Sequence, residues 1–184
     1  MSFGKVDISA KDLAEQFVQG VLKEMDGAKP PSFGDRARWT AAVKKVLKQN
    51  AVHSECEGYA WLLDFVWWSR KNGTEQMVLA VESELDKRVE KEIEPDFQKL
   101  PTFKCPLKLL VFSANVEDTR KMAEDYLQRF TQHVDGEEYL LVGFVDPYPQ
   151  CWWFRVIGNG RLEPDTVKFI EIQLSKAAVA GSAL

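Results

Sequence analysis

The sequence predicts one α/β domain, a mixed β-sheet flanked by helices in the order α-α-β-β-α-β-α-β-β-α, and three observations carry that prediction. Segments whose apolar residues recur at helical spacing alternate with β-branched and aromatic runs that lack this period. No stretch repeats another, which excludes a solenoid or a propeller. The 184 residues are 45% apolar and include eleven Phe and six Trp, enough for one sizeable core and short of what two full domains need. Residues 1–176 are read as that single domain, and the small residues of AAVAGSAL, 177–184, as a frayed tail.

Each element has a local reason. Ser9 and Asp12 open a helix whose apolar stripe is Leu13, Phe17, Val18, Val21, Leu22 and Met25, with Asp26-Gly27 as its stop. After the breaker Lys29-Pro30-Pro31-Ser32-Phe33-Gly34, the stripe Trp39, Val43, Val46 and Leu47 marks a second helix, with Lys44, Lys45 and Lys48 outside. Tyr59 to Ser69 and Gln76 to Leu85 then read as two long strands around the turn Lys71-Asn72-Gly73. Glu94-Pro95 starts a short helix, DFQKL, and LKLLVFSA is a third strand. Asn115 and Asp118 cap a helix with the stripe Met122, Tyr126 or Leu127, Phe130 and Val134, closed by Asp135-Gly136. EYLLVGFVDP and CWWFRVIGNG are two further strands joined through Pro147-Tyr148-Pro149, and a last helix is expected from about Pro164 to Lys176.

Composition narrows the function classes. A net charge of -4 argues against nonspecific coating of nucleic acid, which rests on phosphate neutralisation, but leaves room for a local basic groove from residues 44, 45 and 48, 87, 88 and 91, and 99, 104 and 108. The plainer reading makes these the solvated faces of helices. Cys56, Cys105 and Cys151 form no CxxC spacing and leave an odd thiol, so a reducing, cytoplasmic setting is expected. No run approaches the roughly 20 apolar residues of a membrane helix, and the N-terminus has no apolar leader, so neither a membrane nor a secreted protein is expected.

The chemistry is expected where charge interrupts the apolar hairpin. Asp64 sits inside WLLDFVWW, and Glu82 and Glu84 follow VLAV. An unpaired buried carboxylate is costly enough to shift its pKa or recruit a cation. Strand alternation puts Glu82 and Glu84 on one face, and the hairpin register decides whether Asp64 joins them. A strict two-residue Asn72-Gly73 loop would leave Asp64 on the other face. A three-residue loop with Gly73 in a G1 bulge, or an equivalent odd shift, would bring all three together. Three converging carboxylates make an oxygen-rich site suited to Mg²⁺ or Mn²⁺, and the expected chemistry is metal-assisted hydrolysis of a phosphodiester. Asp64 and Glu82 are the expected ligands, with Glu84 as a further ligand or as the group that orients the attacking water. In the structural alternative, Asp64 pairs with a cation such as Lys99 and the hairpin is inert.

The segment from about Glu55 to Val134 resembles the PD-(D/E)XK superfamily of restriction endonuclease-like nucleases. It carries an acid late in one strand, a hairpin, an acid-x-Glu pair ending the next apolar strand, then a helix and another strand. The resemblance implies a restriction endonuclease-like sheet, with Asp64 as the first metal-binding acid and Glu82 as the second. Glu84 stands where the superfamily usually has its catalytic lysine, as it does in a minority of members. Other members take that lysine from the neighbouring helix, and Lys99 of Asp96-Phe97-Gln98-Lys99-Leu100 matches such a relocated residue. No proline precedes Asp64. The resemblance implies a nuclease acting on DNA or RNA, or a catalytically degenerate relative that binds protein or nucleic acid, and it allows a homodimer. An interaction module with purely structural acids is the third reading.

Other residues are read more plainly. His53 and His133 have no nucleophile at a telling spacing and are read as surface or loop histidines. Glu55 and Glu57 could reach a second ion, and otherwise are loop acids. Gly158-Asn159-Gly160 is a turn, without the Lys-Ser/Thr of a phosphate loop. Trp67-Trp68 and Trp152-Trp153 put one indole on each side of their strands, for packing or for stacking. Lys87, Arg88 and Lys91 are the candidates for touching a phosphate backbone.

Overall fold

The computed structural model describes residues 9–25, 35–53, 57–59, 62–71, 73–85, 90–145, 149–157, 161–162 and 168–170. Helices α1 (Ala10–Glu24) and α2 (Arg36–His53) precede strands β1 (Glu57–Tyr59), β2 (Phe65–Lys71) and β3 (Thr74–Glu84). Helix α3 (Glu90–Phe97) and a 3₁₀ turn (Leu100–Thr102) lead to β4 (Leu107–Phe112), α4 (Val116–Arg129), β5 (Glu138–Gly143), β6 (Gln150–Ile157), β7 (Arg161–Leu162) and β8 (Lys168–Ile170). The strands form one mixed sheet in the order β1-β2-β3-β4-β5-β6-β7, with β8 also on β6. The pairs β3–β4 and β4–β5 are parallel and the others antiparallel.

Alternation along the strands divides the core in two. Phe65, Trp67, Leu79, Val81, Leu109 and Val111 face α1 and α2, while Val66, Ala80, Leu110, Phe112 and Tyr139 face α3 and α4. Ser9 caps α1 as expected, its hydroxyl accepting from Asp12 N at 3.1 Å. At Gly20 the two helices approach so closely that a Cβ would stand 2.7 Å from Val46 Cγ1. Trp67 Nε1 donates to Leu47 O at 3.1 Å and ties α2 to the sheet. Among the described residues no helix is long and apolar enough to cross a membrane.

Several elements differ from the sequence expectation. Tyr59 to Ser69 is not one strand: β1 and β2 pair antiparallel, Tyr59 opposite Val66, and residues 62–64 bend before β2 begins. Leucines and aromatics suited to a strand also suit a reversal when each arm finds a partner. Helix α3 begins at Glu90 and contains Pro95, whose missing N–H leaves the exposed side of a short helix without one bond. Helix α4 ends at Arg129, well before Asp135-Gly136, and buries Val116, Thr119, Ala123 and Leu127, so its inner stripe lies beside the expected one. Lys168–Ile170, expected within a last helix, forms β8, because β6 offers it a free edge at Cys151–Trp153. The rest of that expected helix, the tail 177–184, and the Gly158-Asn159-Gly160 turn lie outside the described residues.

Candidate functional site

The hairpin uses the strict two-residue loop, with Lys71 opposite Thr74 and Gly73 in the left-handed region at φ 74°. Taken alone, that register would put Asp64 on the wrong face. A bulge restores it: Trp68 pairs with Met77 and Trp67 with Leu79, so Val78 has no partner and every pair beyond it shifts by one. The odd shift therefore exists, in mid-strand and not at the turn, and it returns Asp64 to the side of Glu82.

Asp64 lies in the bend just before β2, half-buried. Its Oδ2 accepts the backbone N–H of Ser83 at 2.8 Å, at the point where β3 continues and β2 has already left it. The side chain thus completes the ladder that the missing strand would have supplied, and this fixes the acid beside Glu82. Glu82, opposite Leu110 of β4, is only 3% exposed. It lies near the carboxyl ends of the parallel strands β3 and β4, where open α/β sheets place their ligands.

The Glu82 Oε1 is buried and accepts no hydrogen bond in good geometry from any described residue. Lys99, in the turn that follows α3, brings its Nζ to 3.4 Å from that oxygen and to 2.6 Å from Asp96 Oδ1. Burial pushes the Glu82 carboxyl up to about 7, against the pull of Lys99, and the charge of Asp64 adds to the rise. Lys99 is raised above its ordinary value, chiefly by its bond to Asp96.

The structure therefore brings Asp64, Glu82 and Lys99 together and adds Asp96, which the sequence reading passed over. Asp96 and Lys99 stand three apart, a spacing that favours ion pairs on a helix. Lys99 pairs with Glu82 and Asp96 and not with Asp64, the partner offered by the structural alternative; Asp64 accepts instead from the Ser83 amide. Glu84 is half-buried and shares the face of Glu82. Among the described residues no group of three or more His, Cys, Asp or Glu side chains is arranged to hold an ion. The donor set still fits a hard cation, because it is all oxygen and includes a buried carboxylate oxygen without a hydrogen bond from the described residues; Mg²⁺ commonly takes only one or two protein carboxylates.

Among the described residues, the lysines considered for a local basic groove do not share one surface. Lys44, Lys45 and Lys48 lie on α2, across the sheet from Lys99, and Lys45 pairs with Glu24 at 2.6 Å. Lys108 is fully buried. Lys91 is exposed, whereas Lys87, Arg88 and Glu55 lie outside the described residues, as do the side chains of His53 and Glu57. The tryptophan pairs straddle the sheet: Trp67 and Trp153 pack with the α1–α2 core, Trp68 and Trp152 with the other.

His133 lies in the loop after α4, as the loop reading expects, but its side chain is not at the surface. Its ring has no exposure and stands 3.2 Å from Glu137 Oε2, and its Nε2 donates to Leu127 O at 2.9 Å. Tyr139 Oη donates to the same carboxylate at 3.0 Å, and Lys108 Nζ forms an ion pair with Glu137 Oε1 at 3.1 Å and donates its hydrogen bond to Cys105 O. Burial lowers Lys108, whereas for Glu137 burial pushes upward and the donors around it prevail, holding it below the ordinary carboxylate range. The signal was Lys108 itself, a charge inside LKLLVF. No protein-family model matches the chain, and a search of curated proteins returns no match.

Proposed function

We propose that the chain is a Mg²⁺- or Mn²⁺-dependent hydrolase of nucleic-acid phosphodiester bonds with a restriction endonuclease-like fold. One observation supports this above the others: Glu82 is a buried acid whose Oε1 has no hydrogen-bond partner among the described residues, flanked by Asp64 and faced by a Lys99 ammonium that is half in water. Burying such a group costs stability, and a cation from solution offsets that cost. Asp64 and Glu82 would hold the ion, with Glu84 as a further ligand or as the group orienting the attacking water. When bound, the ion supplies a Lewis acid for a phosphoryl oxygen and for the water. Lys99 supplies a positive charge to the phosphate as negative charge develops on it. We also read the chain as cytoplasmic, supported by Cys105 and Cys151, which are free and buried.

A specific observation favours a second reading, a catalytically degenerate member of this fold that binds protein or nucleic acid. Lys99 already neutralises Glu82, and no three-ligand group is present among the described residues. Incubation with single-stranded and duplex DNA and RNA in Mg²⁺ or Mn²⁺ separates the two. Cleavage that disappears in Asp64→Asn and Glu82→Gln supports the hydrolase. Binding without cleavage supports the degenerate module, and cleavage unchanged by both variants removes the site from consideration.

A further inference from the structure

We propose that Asp96 is a positioning residue that acts through Lys99, keeping the ammonium beside the acids both with and without a cation on Glu82. This rests on the metal-dependent reading above. The geometry that carries it is the sharing of one ammonium between two carboxylates: Lys99 Nζ is 2.6 Å from Asp96 Oδ1 and 3.4 Å from Glu82 Oε1. The shorter bond goes to the residue that has no other part in the site. Asp96 is half-buried and sits one helical turn before a lysine whose side chain is 46% exposed, so without it the long stem would have open solvent to explore.

A lysine held by Glu82 alone would obstruct that site, since an ammonium and a dication compete for the same oxygen. A second carboxylate changes the outcome. The ammonium can yield Glu82 to the dication while keeping its counter-charge, and it remains within reach of a phosphate drawn to the ion. Two opposite effects on metal affinity follow. Removing the Lys99 charge takes away the competitor and tightens binding. Removing the Asp96 charge leaves Lys99 leaning wholly on Glu82 and weakens binding.

The test is calorimetric titration of Mn²⁺ into the full chain and its variants, each first shown to melt cooperatively. Lys99→Gln is expected to bind about fivefold tighter and Asp96→Asn about fivefold weaker, the size set by unit charges at roughly 4 Å in a water-like dielectric. Asp96→Glu should restore wild-type affinity. The double variant decides the route: in the Lys99→Gln background, Asp96→Asn should change nothing. An equal loss in that background would mean that Asp96 acts by its own charge and would overturn the proposal, as would wild-type affinity in Asp96→Asn. Asp96→Ser serves in its place should the asparagine variant not fold. Mn²⁺ binding without any Asp96 effect sinks this inference alone, whereas no binding to the wild type sinks it together with the metal-dependent reading.

Discussion

Two lysine–carboxylate pairs lie on the same face of the sheet, and they are built differently. In Lys108–Glu137 both side chains have no exposure, Glu137 Oε2 faces Tyr139 Oη and His133 Nδ1, and Lys108 is anchored on Cys105 O. In Lys99–Glu82 the acid is 4% exposed and the lysine 46%, the separation is longer, and the lysine is shared with Asp96. One pair is closed: its cation has nowhere to go. The other is open, and its cation can be exchanged. In both acids the buried Oε1 has no hydrogen-bond partner among the described residues, so the difference lies in the lysine, which is sealed in one pair and half in water in the other.

The largest expected effect comes from breaking the closed pair. Lys108→Met should leave Glu137 without its cation and cost about 3–5 kcal/mol in denaturant unfolding. A loss below about 1 kcal/mol would show that the network relaxes and that the two pairs do not differ in kind.

The next effect has the opposite sign. Glu82 is raised from 4.5 to about 7 in the folded chain, so between those values the unfolded state loses its proton while the folded state keeps it. Its contribution is fully present below pH 4.5 and is lost as pH rises through about 7. Glu82→Gln without divalent cations should therefore be more stable at pH 8, by up to about 3 kcal/mol, and should flatten the pH dependence. Equal stability of wild type and variant across this range would contradict an undercompensated acid.

Tyr139→Phe removes one donor from Glu137 and should cost about 1.5–3 kcal/mol, the range for hydrogen bonds to charged groups. Lys99→Met should cost least, under about 1 kcal/mol, because the lysine is half in water and its interactions are screened. If its removal destabilised the chain as much as the loss of Lys108, the open pair would be structural after all.

Much of the architecture was legible because local signals agreed with one another. The caps at Ser9 and Asn115, the stripe of α2 and the alternation of the strands each specify an element without help from the rest. The errors fell where a partner elsewhere in the fold decides. Strand β8 exists because β6 has an edge to offer, and β1 separates from β2 because the two pair with each other. In the site, Asp64, Glu82 and Lys99 were visible as charges in or beside apolar strands. Their relation was not, since it depends on an unpaired Val78 that nothing in the sequence marks as a bulge. The same buried-charge logic, applied to Lys108, would have led to the closed network and to His133.

The most direct measurement is a crystal soaked in Mn²⁺ and recorded at a wavelength where manganese scatters anomalously. One peak per chain is expected within coordination distance of a Glu82 oxygen and an Asp64 oxygen, with Lys99 turned to Asp96. Anomalous density bound elsewhere, or none while Lys99 stays on Glu82, would contradict an exchangeable cation at this carboxylate.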